Sequence, residues 1–148
     1  KAIANVELND VCNFYMGTLA LRIDEERNIA EQFNDIVIPR DTKLPCSITK
    51  TYTVVSDGQK GIDCSVTQSE GEEKDIEFVN LISNEPLELS KNAKAGDPIE
   101  VTYSYDSSGK MHCIFEDKKS KKKHEINLKP IGSKDLKDLK DNLDFDIE

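Results

Sequence analysis

Apolar residues in this chain recur at every second position in short bursts, the period of a strand whose two faces meet different surroundings. Ile99–Asp106 is the cleanest burst: Ile99, Val101, Tyr103 and Tyr105 alternate with Glu100, Thr102, Ser104 and Asp106. Thr18–Asp24 repeats the pattern with Leu19, Leu21 and Ile23 on one side. Phe33–Ile38, Thr51–Ser56, Gly61–Thr67, Asp75–Leu81, Lys110–Glu116 and Lys123–Leu128 bring the predicted strands to eight. Asp57-Gly58-Gln59-Lys60 separates the third strand from the fourth. Asp-Gly supplies the positive φ of a tight hairpin turn, so these two strands are predicted to pair. Ile62, Cys64 and Val66 share one face of the fourth. Asp106-Ser107-Ser108-Gly109 turns the sixth strand into the seventh, and Ile82–Asp97 reads as a long loop with a bend at Lys91–Gly96. Short strands with turns at close intervals predict an all-β fold, an antiparallel eight-stranded β-sandwich.

Two segments interrupt that rhythm. In Ile38-Pro39-Arg40-Asp41-Thr42-Lys43-Leu44-Pro45 the two prolines fix φ and remove amide donors. A rigid connector results, neither central strand nor helix. After Pro130 the period changes: Ser133 is a good N-cap, Asp135 sits in the first turn, and Leu136, Leu139 and Leu143 form one apolar stripe. This predicts a short C-terminal α-helix, marginal alone, that docks on the sandwich or a neighbour or frays. Val11–Met16 is a short apolar segment with the character of an edge strand.

A chain of 148 residues suffices for one domain with a real core. Its first residue is Lys1 rather than Met, as expected for a piece of a longer protein. The net charge of −9 makes it a poor partner for a phosphate backbone, so no nucleic acid is expected. The one basic cluster, Lys118-Lys119-Ser120-Lys121-Lys122-Lys123-His124, reads as a solubilising turn between two edge strands, where lysines block edge-to-edge pairing. No apolar run approaches a membrane span and no signal-peptide pattern is present, so no membrane partner is expected. Cys12, Cys46, Cys64 and Cys113 form no C-x-x-C pair, and neither histidine has ligand spacing, so no metal is expected. Cys64 and Cys113 fall at inward strand positions, where a free thiol acts as a small hydrophobe. Reduced thiols of a cytosolic protein are favoured over a disulfide framework.

No catalytic constellation stands out. Asp24-Glu25-Glu26 places carboxylates side by side, but neighbours on a strand point to opposite faces. G-x-S-x-G, H-E-x-x-H and phosphate-cradling glycine loops are absent from the sequence, so this stretch is not expected to be an enzyme.

Three pieces, in order, point to a family. They are Ile38-Pro39-Arg40-Asp41-Thr42-Lys43-Leu44-Pro45, then Tyr52-Thr53-Val54-Val55-Ser56-Asp57-Gly58-Gln59, then the run Ile99–Gly109. Together they resemble the β-sandwich substrate-binding domain of the 70-kilodalton heat-shock chaperones, the Hsp70 or DnaK family. The likeness runs from about Val11 to Leu128. It implies a domain plan: an interdomain linker region over residues 1–17, a peptide-binding sandwich over 18–129, and the start of a helical lid over 130–148. At the linker, Tyr15 stands where the family has an acidic residue. The function implied is to hold extended apolar segments of unfolded proteins in a cleft between sandwich loops, under control of an upstream ATPase domain. ATP is then the cofactor of that other domain, with none held by these residues. The implied partners are unfolded or extended polypeptide segments, the nucleotide-binding domain of the same chain and co-chaperones. The implied compartment is the cytoplasm.

The resemblance also assigns residues. Ile62 matches the heart of the family's central pocket, Ile23, Tyr52 and Cys64 its walls, and Val55 one half of the arch over the peptide. Thr53 falls among the backbone contacts and Gln59 at the loop tip. Strand spacing taken alone makes Ile62, Cys64 and Tyr52 plain core residues. Two other readings stay open: an Hsp110-like relative whose sandwich is structural, without a working cleft, and a generic β-sandwich interaction module.

Overall fold

Where the alternation is strictest, burial follows it residue for residue. In the computed structural model, which describes residues 11–129, Ile99, Val101, Tyr103 and Tyr105 are buried and the residues between them are not. The strands are β1 (Tyr15–Asp24), β2 (Ile29–Ile38), β3 (Cys46–Thr53), β4 (Gly61–Ser69), β5 (Asn80–Glu88), β6 (Pro98–Tyr105), β7 (Met111–Asp117) and β8 (Lys123–Leu128). They form two antiparallel four-stranded sheets, ordered β2-β1-β4-β5 and β3-β6-β7-β8. Met16, Ile38, Cys64 and Val66 from the first sheet meet Ile99, Tyr103, Met111, Cys113 and Phe115 from the second in one core. Tyr103 and Phe115 pack edge to face with centroids 6.2 Å apart. Burying each such large side chain contributes about 1.5–3 kcal/mol, and this layer holds the sheets together.

The predicted hairpin between the third and fourth strands does not form. β3 pairs with β6 from Cys46↔Tyr105 to Thr53↔Pro98, while β4 pairs with β1 and β5 in the other sheet. Asp57-Gly58 still turns, with Gly58 at φ 75°, but the turn carries the chain from one sheet to the other. The Gly58 amide donates to the Ala93 carbonyl and Asp57 accepts from the Ala95 amide, so the turn anchors on the segment before β6. A turn signal fixes where the chain reverses; long-range register decides what pairs.

Several boundaries also differ from expectation: β1 starts at Tyr15 rather than Thr18, and β2 at Ile29 rather than Phe33. β3 starts at Cys46, five residues before Thr51, with Cys46, Ile48, Lys50 and Tyr52 inward. Lys50 concealed that alternation; its ammonium donates to Asp35 (3.1 Å) and to the Ile36 carbonyl (2.9 Å) on β2. Asp75–Leu81, predicted as a strand, is instead a 3₁₀ turn, Ile76–Phe78, capped by Asp75 accepting from the Glu77 amide, and then the start of β5. β5 runs into the first part of the predicted loop, through Glu88. It carries Pro86, which a ladder tolerates only at an edge, and β5 is an edge strand.

The basic turn after Asp117 joins β7, an interior strand, to the edge strand β8, so only one of its flanking strands is an edge. Its lysines meet acids: Lys118 pairs with Glu100 and Glu116, Lys119 with Asp97 and Lys122 with Glu88, while the His124 ring lies against Glu85. The predicted C-terminal helix lies outside the described residues, among which the 3₁₀ turn is the helical element.

Candidate functional site

The first sheet is torn. β1 runs to Asp24 and β4 begins at Gly61, yet the two pair only over Tyr15↔Ser69, Met16↔Gln68 and Gly17↔Thr67. Beyond Gly17, β1 stays paired with β2 to Asp24↔Ile29, and β4 stays paired with β5 to Gly61↔Glu88. The sheet thus opens into two diverging hairpins. Register shifts at Met16/Gly17 in the β1–β2 ladder and at Val66/Thr67 in the β4–β5 ladder sit on either side of the branch point. Bulges bend a strand and increase its twist, which is the movement that separates these two. Gly17 is required there, because a Cβ would lie 2.5 Å from the Asp35 carbonyl oxygen.

The opening is a cleft of about 550 Å³. Leu19, Leu21 and Ile23 of β1 form one wall, and Gly61 and Ile62 of β4 the other. Tyr52, Ile99 and Phe115 of the second sheet, with Val54 just past the end of β3, lie beneath. Leu21 and Ile23 are 50% and 55% exposed, apolar side chains at strand spacing left half open among the described residues. By the strand period, the main-chain N–H and C=O groups of Leu21 and Ile23 face the gap, as does the Leu19 amide. Past Leu19, a strand edge that no ladder among the described residues covers lies above an apolar trough, a template for another extended segment.

Of the residues assigned by resemblance, the fold brings Ile23, Tyr52, Thr53, Val55, Gln59 and Ile62 to this one cleft. Ile62 is half-buried, one side on the core and one on the cleft. Val55, 39% exposed, stands in the turn at the rim. Gln59 is engaged within that turn: its Oε1 accepts from the Val55 and Ser56 amides and its Nε2 donates to the Gly61 carbonyl. The Tyr52 hydroxyl donates to Asp35 at 2.5 Å, and burial, reinforced by that carboxylate, raises its pKa. Cys64 lies away from the cleft, wholly buried in the core, and burial with help from Asp63 and Glu85 pushes its thiol up to about 12. It packs in the core of this fold. Leu19, Leu21, Val54, Ile99 and Phe115 were not assigned to the site from sequence; the alternation placed Leu19, Leu21 and Ile99 only on one face of a strand.

Charge gathers at the tip of the β1–β2 hairpin. Arg27 bridges Asp24 and Glu31, both at 2.7 Å, and Arg22 pairs with Glu31 while its guanidinium lies 5.0 Å from the Phe33 ring centroid. Arg27 holds the Asp24 carboxyl below its usual range. These exposed pairs shape the tip more than they stabilise it. A second hollow of about 610 Å³, bordered by Pro45, Tyr105, Met111 and Leu128, lies at the far end of the second sheet, where the ladders are continuous. Among the described residues no cluster of three or more His, Cys, Asp or Glu is placed to hold a metal ion. No helix among them is long and apolar enough to cross a membrane.

Comparison with known proteins gives a consistent answer. The family model described as Hsp70 protein matches residues 1–143. Heat shock cognate 70 kDa protein 3 of Dictyostelium discoideum is 34% identical over 105 residues, covering 70% of this chain and 16% of that protein. Chaperone protein DnaK of Ureaplasma urealyticum serovar 10 is 28% identical over 124 residues, 83% of this chain and 20% of the relative. The mitochondrial Heat shock 70-related protein 1 of Leishmania major is 34% identical over 99 residues, 65% and 15% respectively. The chain thus spans no more than about a fifth of the curated relatives it matches.

Proposed function

This chain belongs to the Hsp70 protein family, and on that premise we propose that it is the β-sandwich of the substrate-binding domain, holding extended apolar segments of unfolded polypeptides in the cleft between β1 and β4. The single observation that carries this reading is the departure of β1 from β4 after Gly17, which leaves strand edge that no ladder among the described residues covers above an apolar trough. A segment laid along β1 makes main-chain hydrogen bonds worth about 0.5–1.5 kcal/mol each. One Leu-sized side chain placed against Ile62 adds roughly 1.5–3 kcal/mol. A handful of such contacts, less the ordering cost, lands near micromolar affinity, about −8 kcal/mol. That suits reversible, sequence-tolerant holding.

In this reading an ATPase domain elsewhere in the protein gates the cleft, with ATP as its cofactor. Co-chaperones act on that pair of domains, and the compartment is the cytoplasm. The seven residues assigned by resemblance divide by role: Ile62 contacts the client side chain, Ile23 and Tyr52 wall the pocket with Cys64 packed behind them, Val55 closes the rim, Thr53 offers backbone contacts, and Gln59 holds the loop tip. The alternative of an Hsp110-like relative with a closed cleft is less well supported, because the trough beside Ile62 is open. Fluorescence polarisation with a labelled Leu-rich heptapeptide tests the proposal. Saturable binding near micromolar, weakened at least about tenfold in a folded Ile62→Phe variant, is expected. No saturable binding by the intact chain rejects it.

A further inference from the structure

The branch point contains more hydroxyl groups than a sandwich core needs. Held in register, the β1–β4 ladder would next bring Leu19 opposite Ser65. There the Leu19 amide would donate to the Ser65 carbonyl. It donates instead to Ser65 Oγ at 2.9 Å. The Ser65 carbonyl accepts from the Tyr103 hydroxyl, whose oxygen lies 3.1 Å from it and 2.7 Å from the Gly17 carbonyl oxygen. Thr18 Oγ1 completes the cluster at 3.0 Å from Ser65 Oγ. All three side chains are buried, with Thr18 at 4%, Ser65 at 1% and Tyr103 at 0% exposure.

Two of the groups that the next rung would use, the Leu19 amide and the Ser65 carbonyl, therefore have side-chain partners instead. A side-chain hydroxyl that captures a backbone amide competes directly with the ladder. An orphaned buried carbonyl costs about 1–3 kcal/mol, and the Tyr103 hydroxyl, its one proton shared with the nearer Gly17 carbonyl, reduces that penalty. Burial raises the Tyr103 pKa well above its ordinary value, so the phenol keeps its proton to donate.

We infer that Ser65 and Tyr103 are positioning residues of the cleft: their hydroxyls take the hydrogen bonds through which β1 and β4 would zip one rung further, and so fix where the cleft begins. The effect on clients rests on the peptide-binding reading above; the effect on the strands does not. The competing account is that the two bulges alone set the branch point.

The test uses the whole chain with Ser65→Ala and Tyr103→Phe combined, and Ser65→Thr as the variant that keeps the hydroxyl. NMR reads the coupling across a hydrogen bond between the Leu19 amide and the Ser65 carbonyl, and polarisation reads the affinity of the Leu-rich heptapeptide. The double variant is expected to show the coupling, absent from the parent, and to bind the heptapeptide about tenfold more weakly per folded molecule. Ser65→Thr is expected to behave as the parent in both. A folded double variant with no such coupling and unchanged affinity overturns the inference. Should the double variant fail to fold, Tyr103→Phe alone frees the same carbonyl and is read in the same way. Should the parent bind no heptapeptide, the peptide-binding reading falls and the Leu19–Ser65 coupling alone decides this one.

Discussion

The two sheets are built from the same alternation and do different things with it. In β3-β6-β7-β8 the ladders from β3 to β6, from β6 to β7 and from β7 to β8 run nearly end to end, and inward residues such as Val101, Cys113 and Phe115 are buried. In β2-β1-β4-β5 the central ladder stops after Gly17↔Thr67, and the same kind of residue, at Leu21 and Ile23, is left half exposed. An apolar side chain is core only if a neighbouring strand closes over it. Where the neighbour turns away, the identical pattern makes a binding surface.

That contrast is sharpest when each side is cut separately. Met111, 1% exposed in the closed sheet, should lose about 3 kcal/mol of stability as Met111→Ala, read by chemical denaturation. Heptapeptide affinity per folded molecule should not change, and a large loss of binding would break the division between the sheets. Gly17→Ala attacks the branch point itself. With Asp35 O so close to the new Cβ, a cost of about 2 kcal/mol is expected, together with a change in peptide affinity. A silent substitution would remove the case for a crowded crossing.

Asp117, back in the closed sheet, offers a pH test. Burial alone would raise its pKa, but donation from the Ser120 hydroxyl and the Lys119 and Ser90 amides outweighs it and holds the carboxyl below its ordinary value. A lowered folded pKa contributes stability that is present above the unfolded value, near 4, and is lost as pH falls through the folded one. Asp117→Asn should therefore cost about 1.5 kcal/mol at neutral pH and flatten the acid limb of the stability curve. An unchanged acid limb would show that these contacts do not favour the ionised form. The smallest stability effect belongs to the torn sheet: Leu21→Ser should stay within about 0.5 kcal/mol of the parent while weakening heptapeptide binding about fivefold. Equal effects of Leu21→Ser and Met111→Ala on stability would erase the comparison.

The closed sheet was largely legible in the sequence. β6, β7 and β8 came out within a residue or two because most of their inward positions are apolar, Asp117 and His124 apart. β3 hid behind Lys50, whose inward place makes sense only with Asp35 across the sandwich. β5 hid behind Pro86, which an edge strand accepts. The Asp57-Gly58 turn was visible, but the pairing drawn from it was wrong, since both strands found longer partners elsewhere. At the site, the period alone could not separate core from cleft. Ile23, Tyr52, Thr53, Val55, Gln59 and Ile62 came from family resemblance, and they converge on one cleft while Cys64 remains beneath. Ser65 and Tyr103 were invisible, because a tyrosine on an apolar stripe reads as packing until its hydroxyl partner is seen.

The most direct test of the torn sheet as a peptide site is amide hydrogen exchange, residue by residue, with and without saturating Leu-rich heptapeptide. The amides of Leu21 and Ile23 should slow markedly on addition of peptide while those of β6 and β7 hold their rates. Protection that appears along β5 or β8 instead, or nowhere in β1, would contradict a client strand lying in the gap between β1 and β4.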